Sequence, residues 1–516
     1  MSESELHVVK AVIATLAFIV LLLERRAAIA HRVARRSLIV LGVVAISAYF
    51  HFGEVPYRGY YHRWEMFHYY LGAKYSEELG YKRLYSCVAV AEARSGHALD
   101  VAKRRTRNLD DDSLRLGAEI LERPQACTRH FSAARFDEFA RDVAFFRRAS
   151  GGGEYWAAMQ ADHGYNPAPA WTLLAKPLAN LAPASHRFLF LLSLLDLALM
   201  FGALAALAWG FGARAMALAA IFWGTQAASE FSWTGGAFLR QDWLFLLVAS
   251  IVLMRRRRHV LAGFLLTAAG MLRIFPLLLW AGPLIVVIAD AVRRGGVSRA
   301  SRRLLLGGAL CGALLGGASL WTHDASSLRD FARRLELRAT SAISNHMSLR
   351  TLFSASGDNR LEHSLDYSRV NPVENWASER SERLEQLRPL YVVCALCLVL
   401  CFVAGAAQSE TRWAATSLAV VLVPVLTDPS CYYYSLMIAA VPLTLRRREL
   451  ELVFVGVAAL GQLAMLHFTW ADDRYVALAA LYTAVVIVTL ALFVRAPARL
   501  TRFWFQKETR KVEVHG

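Results

Sequence analysis

Apolar residues along this chain gather into long unbroken runs rather than into the period-2 or period-3.6 stripes of half-buried strands and helices. A membrane-crossing helix needs roughly 20 mostly apolar residues. Runs of that kind occupy residues 9–23, 37–52, 188–209, 213–228, 237–254, 260–290, 304–321, 390–407, 413–427, 431–445, 450–470 and 475–494. The run at 260–290 is too long for one straight span and carries Arg273 and Pro276 midway, so it is predicted to fold as two short helices with a break between them. The total comes to about 13 membrane segments in an all-α polytopic membrane protein.

Two polar stretches interrupt the runs and divide the chain. Residues 1–52 read as a two-helix membrane hairpin, 53–185 as a first large insertion, and 186–321 as central membrane helices that include the broken hairpin. Residues 322–388 read as a second insertion, 389–495 as C-terminal membrane helices and 496–516 as a basic tail. The opening ten residues lack a basic start, and no small-residue cleavage site follows the first run, so that run is expected to stay as an anchor. Both insertions carry many aromatics and short helical patterns such as 136–146, so they are expected to fold onto the membrane domain, with Gly151, Gly152 and Gly153 as a hinge.

Composition agrees: of 516 residues, 56% are hydrophobic and only 19% charged, against about 25% charged in soluble domains. The net charge of +17, from 58 Lys+Arg against 41 Asp+Glu, fits either nucleic acid or a bilayer. Placement decides, because the arginines sit at the ends of apolar runs. The clusters are Arg25, Arg26, Arg32, Arg35 and Arg36; residues 255–258; Arg293, Arg294, Arg299, Arg302 and Arg303; residues 446–448; and the tail. This pattern excludes a nucleic-acid binder. With every cluster in the cytoplasm, the segments alternate without contradiction. The N-terminus is then outside and the C-terminus cytoplasmic, with both insertions on the outer face beside the short turns at 232–242, 428–434 and 471–474.

Of seven cysteines, Cys311, Cys394, Cys397, Cys401 and Cys431 lie in or beside apolar runs and read as packing. Cys87 and Cys127 fall in a polar stretch, where they either pair or stay free according to the compartment they face. No P-loop, Gly-x-Gly-x-x-Gly, His-Glu-x-x-His or Gly-x-Ser-x-Gly occurs. The acids Asp110, Asp111 and Asp112 read as a turn rather than a metal site, and no metal is expected.

The segment from Trp64 to Tyr75 carries the first candidate chemistry. If helical, it sets Glu65, His68 and Tyr69 on one face at spacings of three and four, so that a general-base carboxylate would lie beside an imidazole and a phenol. An interfacial aromatic belt is the alternative. Asp196, inside an apolar run, suggests either a proton pathway or a bond to a neighbouring backbone donor.

The run Glu65, Tyr69, Tyr70, Ala73, Gly80, Leu84 and Tyr85 resembles the first outer loop of the multi-spanning GT-C glycosyltransferases, above all the bacterial polyprenol-phosphate-mannose-dependent mannosyltransferases. Further matches follow in order: residues 165–169 with Pro177; Ala262 and Gly263 through Arg273 and Pro276; Asn345 with Ser348 and Leu349; and Asp428-Pro429 with Tyr432, Tyr433 and Tyr434. The chain departs from that pattern in having Glu65 for Asp, Leu239-Arg240-Gln241-Asp242-Trp243 for Gly-Gln-x-Asn, and Cys431 where a His often stands.

The resemblance implies a GT-C-like bundle that moves a sugar, mannose among the candidates, from a polyprenyl-phosphate donor to an outer-face glycan, glycolipid or protein acceptor. The transfer would be inverting and would need neither metal nor cofactor beyond the donor. Glu65 would be the base, while Arg273, Arg240, Arg350 and Lys74 would bind the donor phosphate, since arginine forks match phosphate geometry. An arginine inside an apolar run must face a cavity or a partner, which singles out Arg273, with Asp242 as the competing partner. Substrate contacts are expected from His68, Tyr69, Asp162, His163, Asn345, His346, Tyr432 and Tyr433. Two other classes remain: a lipid or solute transporter, suggested by the broken hairpin and Asp196, and a non-catalytic envelope-assembly protein, for which Glu65→Gln would be silent.

Overall fold

The computed structural model describes residues 1–57 and 59–494; the basic tail at 496–516 lies outside the described residues. Helices dominate. Among the described residues the strands are Arg105–Arg107 and Leu114–Leu116, a short antiparallel pair in which Thr106 faces Arg115.

Seven helices are long and apolar enough to cross a membrane: Glu3–Arg25, His186–Phe211, Phe275–Arg293, Arg299–Thr322, Glu374–Ala407, Glu449–His467 and Ala471–Val494. Three more apolar helices, His259–Arg273, Arg412–Leu426 and Cys431–Leu445, are shorter. The apolar pattern calls for about 13 segments, so the count by length stops well short of it. Part of the reason is internal. Cys431–Leu445 is wound as a 3-10 helix with Pro442 inside it, and Ala213–Thr225 holds only 13 residues.

The broken hairpin forms as its sequence requires. His259–Arg273 ends at Ile274, whose φ of 53° departs from the helix, and Phe275–Trp280 continues as a 3-10 turn before Ala281–Arg294. Pro276 disfavours helical geometry at the residue before it and supplies no N–H, so the break falls here. The His259–Arg273 helix is pressed against Arg299–Thr322 at two glycines. A Cβ on Gly263 would stand 1.9 Å from the carbonyl oxygen of Leu304, and one on Gly307 would stand 1.8 Å from that of Val260. Only hydrogen fits at either place, and the reward is backbone-to-backbone packing.

The arginine clusters converge on one end of the bundle. Arg214 reaches Glu24 at 2.6 Å and Glu451 at 2.7 Å, Arg25 donates to the Arg448 carbonyl, and Arg293 donates to that of Ala407 at 2.9 Å. The insertions sit at the other end. The first docks through Tyr57, whose hydroxyl donates to the Phe231 carbonyl at 2.9 Å, and through the His62 N–H, which donates to the Gly236 carbonyl at 2.8 Å. Inside it a disulfide joins Cys87 to Cys127 across 40 residues, so the two cysteines of the polar stretch pair. Gly151, Gly152 and Gly153 all take positive φ at the junction between Ala133–Ala149 and Gly153–Gln160. The second insertion has no boundary at 388, because Glu374–Ala407 runs as one helix through that point with Pro389 inside it.

Candidate functional site

The helix Arg63–Lys74 carries the acidic residue picked out in the sequence. His62 caps it, with Nδ1 accepting the Glu65 N–H at 3.4 Å, which fixes Glu65 in the first turn. From there the Glu65 carboxylate faces Arg240, with Oε2 and Nε 2.8 Å apart and both side chains largely buried. One turn on, the Tyr69 hydroxyl accepts from Arg240 Nη1 and donates to Asn166 Oδ1 at 3.1 Å. The spacing of four between Glu65 and Tyr69 thus serves a single guanidinium.

Arg240 sits on a turn rather than on a helix. Leu239 before it has φ 50°, and the Leu239 carbonyl accepts from Trp171 Nε1 at 3.1 Å and from Arg273 Nη2 at 3.3 Å. The Arg240 guanidinium carbon lies 4.7 Å from the Tyr69 ring centre, 4.9 Å from that of Tyr432 and 5.8 Å from that of Tyr433. Arg273 stacks beside Tyr69 at 5.4 Å and Trp171 at 5.6 Å. Two arginines therefore share an aromatic box, and cation–π attraction offsets part of the cost of their burial. Burial drives the Tyr69 phenol well above its ordinary pKa, so it stays protonated.

Beyond this box opens a cavity of about 750 Å³. Its cations are Arg273, Arg334, Arg338 and Arg350, its aromatics include Tyr391, Tyr432 and Tyr433, and Leu272, Leu277, Leu278 and Leu426 form an apolar flank. Arg334 bridges the insertions: it donates to the carbonyls of Leu109 and His163 at 2.9 and 2.8 Å and lies 3.3 Å from Asp112. Arg350 donates to the Ala339 carbonyl at 2.7 Å. Arg273 Nε and Arg338 Nη1 are buried donors without a hydrogen-bond acceptor.

An acid also lines this cavity. Asp428 accepts from Ser348 Oγ at 2.5 Å and lies 3.0 Å from His346 Nδ1. Burial opposes its ionisation, but the His346 charge and the hydrogen bonds outweigh that, and its pKa falls below the usual carboxylate value. The late turn is pinned to the second insertion by a bridge between His346 and Ser430 and by the Cys431 N–H, which donates to the Asn345 carbonyl at 2.9 Å. Two segments distant in sequence, 345–348 and 428–434, thus form one wall.

Six of the residues expected at the site come together around the box and cavity: Glu65, Tyr69, Arg240, Arg273, Tyr432 and Tyr433. Arg350 and His346 join them on the cavity wall. Glu65, Tyr69 and Arg240 do not line it; Arg240 lies against Tyr432 and Tyr433, which do. Asn345 is buried behind the wall, its Oδ1 unpartnered.

Others go elsewhere. His68 shares the helix but not the Glu65 contacts: Nε2 is 2.7 Å from the Tyr85 hydroxyl and Nδ1 is 2.8 Å from the Trp64 carbonyl. Lys74 is 1% exposed and sits between Asp142 at 2.8 Å and Glu138 at 2.9 Å, which assigns its charge to the interior of the insertion rather than to a donor phosphate. Asp162 accepts from Trp64 Nε1 at 2.7 Å; burial works against its ionisation, yet His68 and His163 prevail and hold its pKa at about 2. His163 lies 3.1 Å from Asp112, and burial together with Arg338 lowers its pKa to about 4. The sequence reading missed Arg334 and Arg338. Their spacing of four on the amphipathic helix Ala325–Thr340 reads as a solvated stripe.

No family model, curated protein or solved structure matches the chain. Among the described residues, no group of three or more His, Cys, Asp or Glu is placed to hold a metal ion.

Proposed function

We propose that this protein is an integral membrane glycosyltransferase of GT-C type that takes a sugar, mannose among the candidates, from a polyprenyl-phosphate donor and attaches it to an acceptor hydroxyl on the outer face. The observation that carries this reading is the cavity in which buried, unsatisfied arginine donors at Arg273 and Arg338 stand beside an apolar flank. A phosphate attached to a long hydrocarbon matches both halves of that lining, since arginine forks grip phosphate oxygens and the leucines can hold the chain. Pairing of Cys87 with Cys127 supports placing the insertion in an oxidising compartment, hence the N-terminus outside and the C-terminus cytoplasmic in a bacterial inner membrane.

In the proposed reaction the carboxylate accepts the proton of the acceptor hydroxyl as its oxygen attacks the anomeric carbon. The bond from that carbon to the phosphate oxygen breaks, and polyprenyl phosphate departs with the electron pair, its charge met by Arg273 and Arg338. Glu65 is the base in this reading, held by Arg240 until the acceptor enters. A second reading within the same reaction makes Asp428 the base, because Asp428 lines the cavity directly.

The test uses purified protein in vesicles with synthetic polyprenyl-phosphate hexoses, following release of polyprenyl phosphate and transfer to added glycan or glycolipid acceptors. Loss of a general base costs about 10²–10⁴-fold in turnover, so Glu65→Gln is expected to fall by that factor with the donor still bound. A comparable fall in Asp428→Asn, with Glu65→Gln active, moves the base to Asp428. Absence of release from every polyprenyl-phosphate hexose sinks the transferase reading and leaves the transporter and envelope-assembly alternatives.

A further inference from the structure

At the arginine-rich end of the bundle, opposite the cavity just described, lies an open cleft of about 800 Å³. The two sites lie at opposite ends of one helix, His259–Arg273: His259 lines this cleft and Arg273 lines the other, about 21 Å apart along the axis. Five arginines line the cleft, Arg255, Arg256, Arg257, Arg412 and Arg446, against a single acid, Glu410.

Three of these guanidiniums lie over aromatic rings, and a fourth, Arg412, is bonded to serines and an acid. Arg255 stacks over Phe211 at 4.9 Å and Trp413 at 5.6 Å, Arg446 over Trp413 at 5.7 Å, and Arg256 over Trp209 at 4.9 Å. Arg412 bonds to Ser298 and Ser301 and lies 3.4 Å from Asp290. Among the described residues, no carboxylate comes within ion-pair distance of Arg255, Arg256, Arg257 or Arg446. In addition, His259 Nδ1 and Thr411 Oγ1, both in the lining, are buried polar atoms with no hydrogen-bond partner. Arg255, Arg256, Arg257 and Arg446 are solvent-exposed around one space, three of them over aromatic faces, with two further polar atoms left open beside them.

We propose that this cleft is a binding site for a phosphate-bearing anion. Clustered guanidiniums favour tetrahedral oxyanions that accept paired N–H groups over single halide ions. The position at the charged end of the bundle, with Met254 and Trp413 in its wall, gives access to an anionic phospholipid headgroup as well as to soluble phosphate compounds. The site stands independently of the transferase reading, since its residues share none with the outer cavity.

The full-length protein in phosphatidylcholine nanodiscs provides the test, with thermal unfolding as the readout. The probes are phosphatidylglycerol or cardiolipin added to the nanodisc, and inorganic pyrophosphate added to the buffer. A lipid-dependent rise in Tm assigns a headgroup site, and a pyrophosphate-dependent rise assigns a soluble ligand. In either arm, Arg255→Ala combined with Arg446→Ala should bind roughly 30-fold more weakly, at about a factor of five per arginine. Arg299→Ala combined with Arg302→Ala, a pair at the same end but outside the cleft, should bind as the parent does. Should the alanine pair fail to fold, Arg255→Lys with Arg446→Lys keeps the charge but loses the fork, and is expected to bind several-fold more weakly. No response to any probe, or equal loss in the cleft and control pairs, overturns the proposal.

Discussion

Asp196 holds Arg240 through its backbone rather than through its charge. Oδ1 of Asp196 accepts the main-chain N–H of Arg240 at 2.7 Å and that of Gln241 at 3.0 Å. An acid inside an apolar helix thus answers two otherwise orphaned donors on a turn where Leu239 takes positive φ. Of the two roles the sequence offered it, the backbone bond is the one present. The guanidinium that meets Glu65 is aimed by a residue it does not touch with its side chain.

That arrangement predicts a graded response. Asp196→Ala removes both acceptors and should destabilise the protein by about 2–4 kcal/mol, as buried N–H groups lose their partner. Asp196→Asn keeps one carbonyl oxygen and should cost less than half as much. Tm in detergent, compared for the two variants, checks this. Equal losses would mean that the charge, not the acceptor, matters.

Lys74 makes the opposite case. Fixed between Asp142 and Glu138, it is expected to serve stability and not catalysis. Lys74→Met strands the buried Asp142 carboxylate and should cost about 3–5 kcal/mol. KM for a lipid-phosphate donor, measured below the lowered Tm, should stay within about twofold of the parent. A selective rise in KM at unchanged Tm would return Lys74 to the donor site.

His163 gives the first insertion an acid-sensitive joint. Its pKa of about 4 in the fold lies below the value of about 6.5 it takes when unfolded. Between those values the unfolded chain binds the extra proton, so stability is full above pH 6.5 and declines as pH falls toward 4. The decline attributable to this residue is about 3 kcal/mol at most. Tm followed from pH 7 to pH 4 should therefore fall more steeply in the parent than in His163→Gln. Parallel curves would show that His163 does not carry the dependence.

How much of this was legible in the sequence varied with the range of the interactions. Local features were: Pro276 and Arg273 marked the break at Ile274, and the alternation of arginine clusters foretold that they share one end. Glu65 and Tyr69 were legible as a pair because a spacing of four is geometry. Their partner Arg240, 175 residues beyond Glu65, was flagged only by resemblance and by charge. His68 misled because a helical face is wide enough to include it, while the aromatic Tyr85 beside it decides where the ring turns. Lys74 misled for a related reason, since Asp142, 68 residues on, carries no local sign that it faces inward. Arg334 and Arg338 were hidden because an amphipathic stripe looks the same whether water or another insertion lies against it.

The His259–Arg273 helix begins just past the arginines at 255–258 and ends at Arg273 after 15 residues, a climb of about 22 Å at 1.5 Å per residue. A bilayer presents about 30 Å of hydrocarbon. If that helix stands along the bilayer normal with its arginines at one surface, Arg273 lies roughly 8 Å short of the far rim of the hydrocarbon layer. In that placement the protein would have to bring water down to that depth through the cavity or draw the surrounding lipid inward, at a fraction of a kcal/mol for each ångström of mismatch. Acyl-chain length would then be a variable of the site: thicker membranes would set the guanidinium of Arg273 in a deeper well, and thinner ones would bring it toward the headgroups.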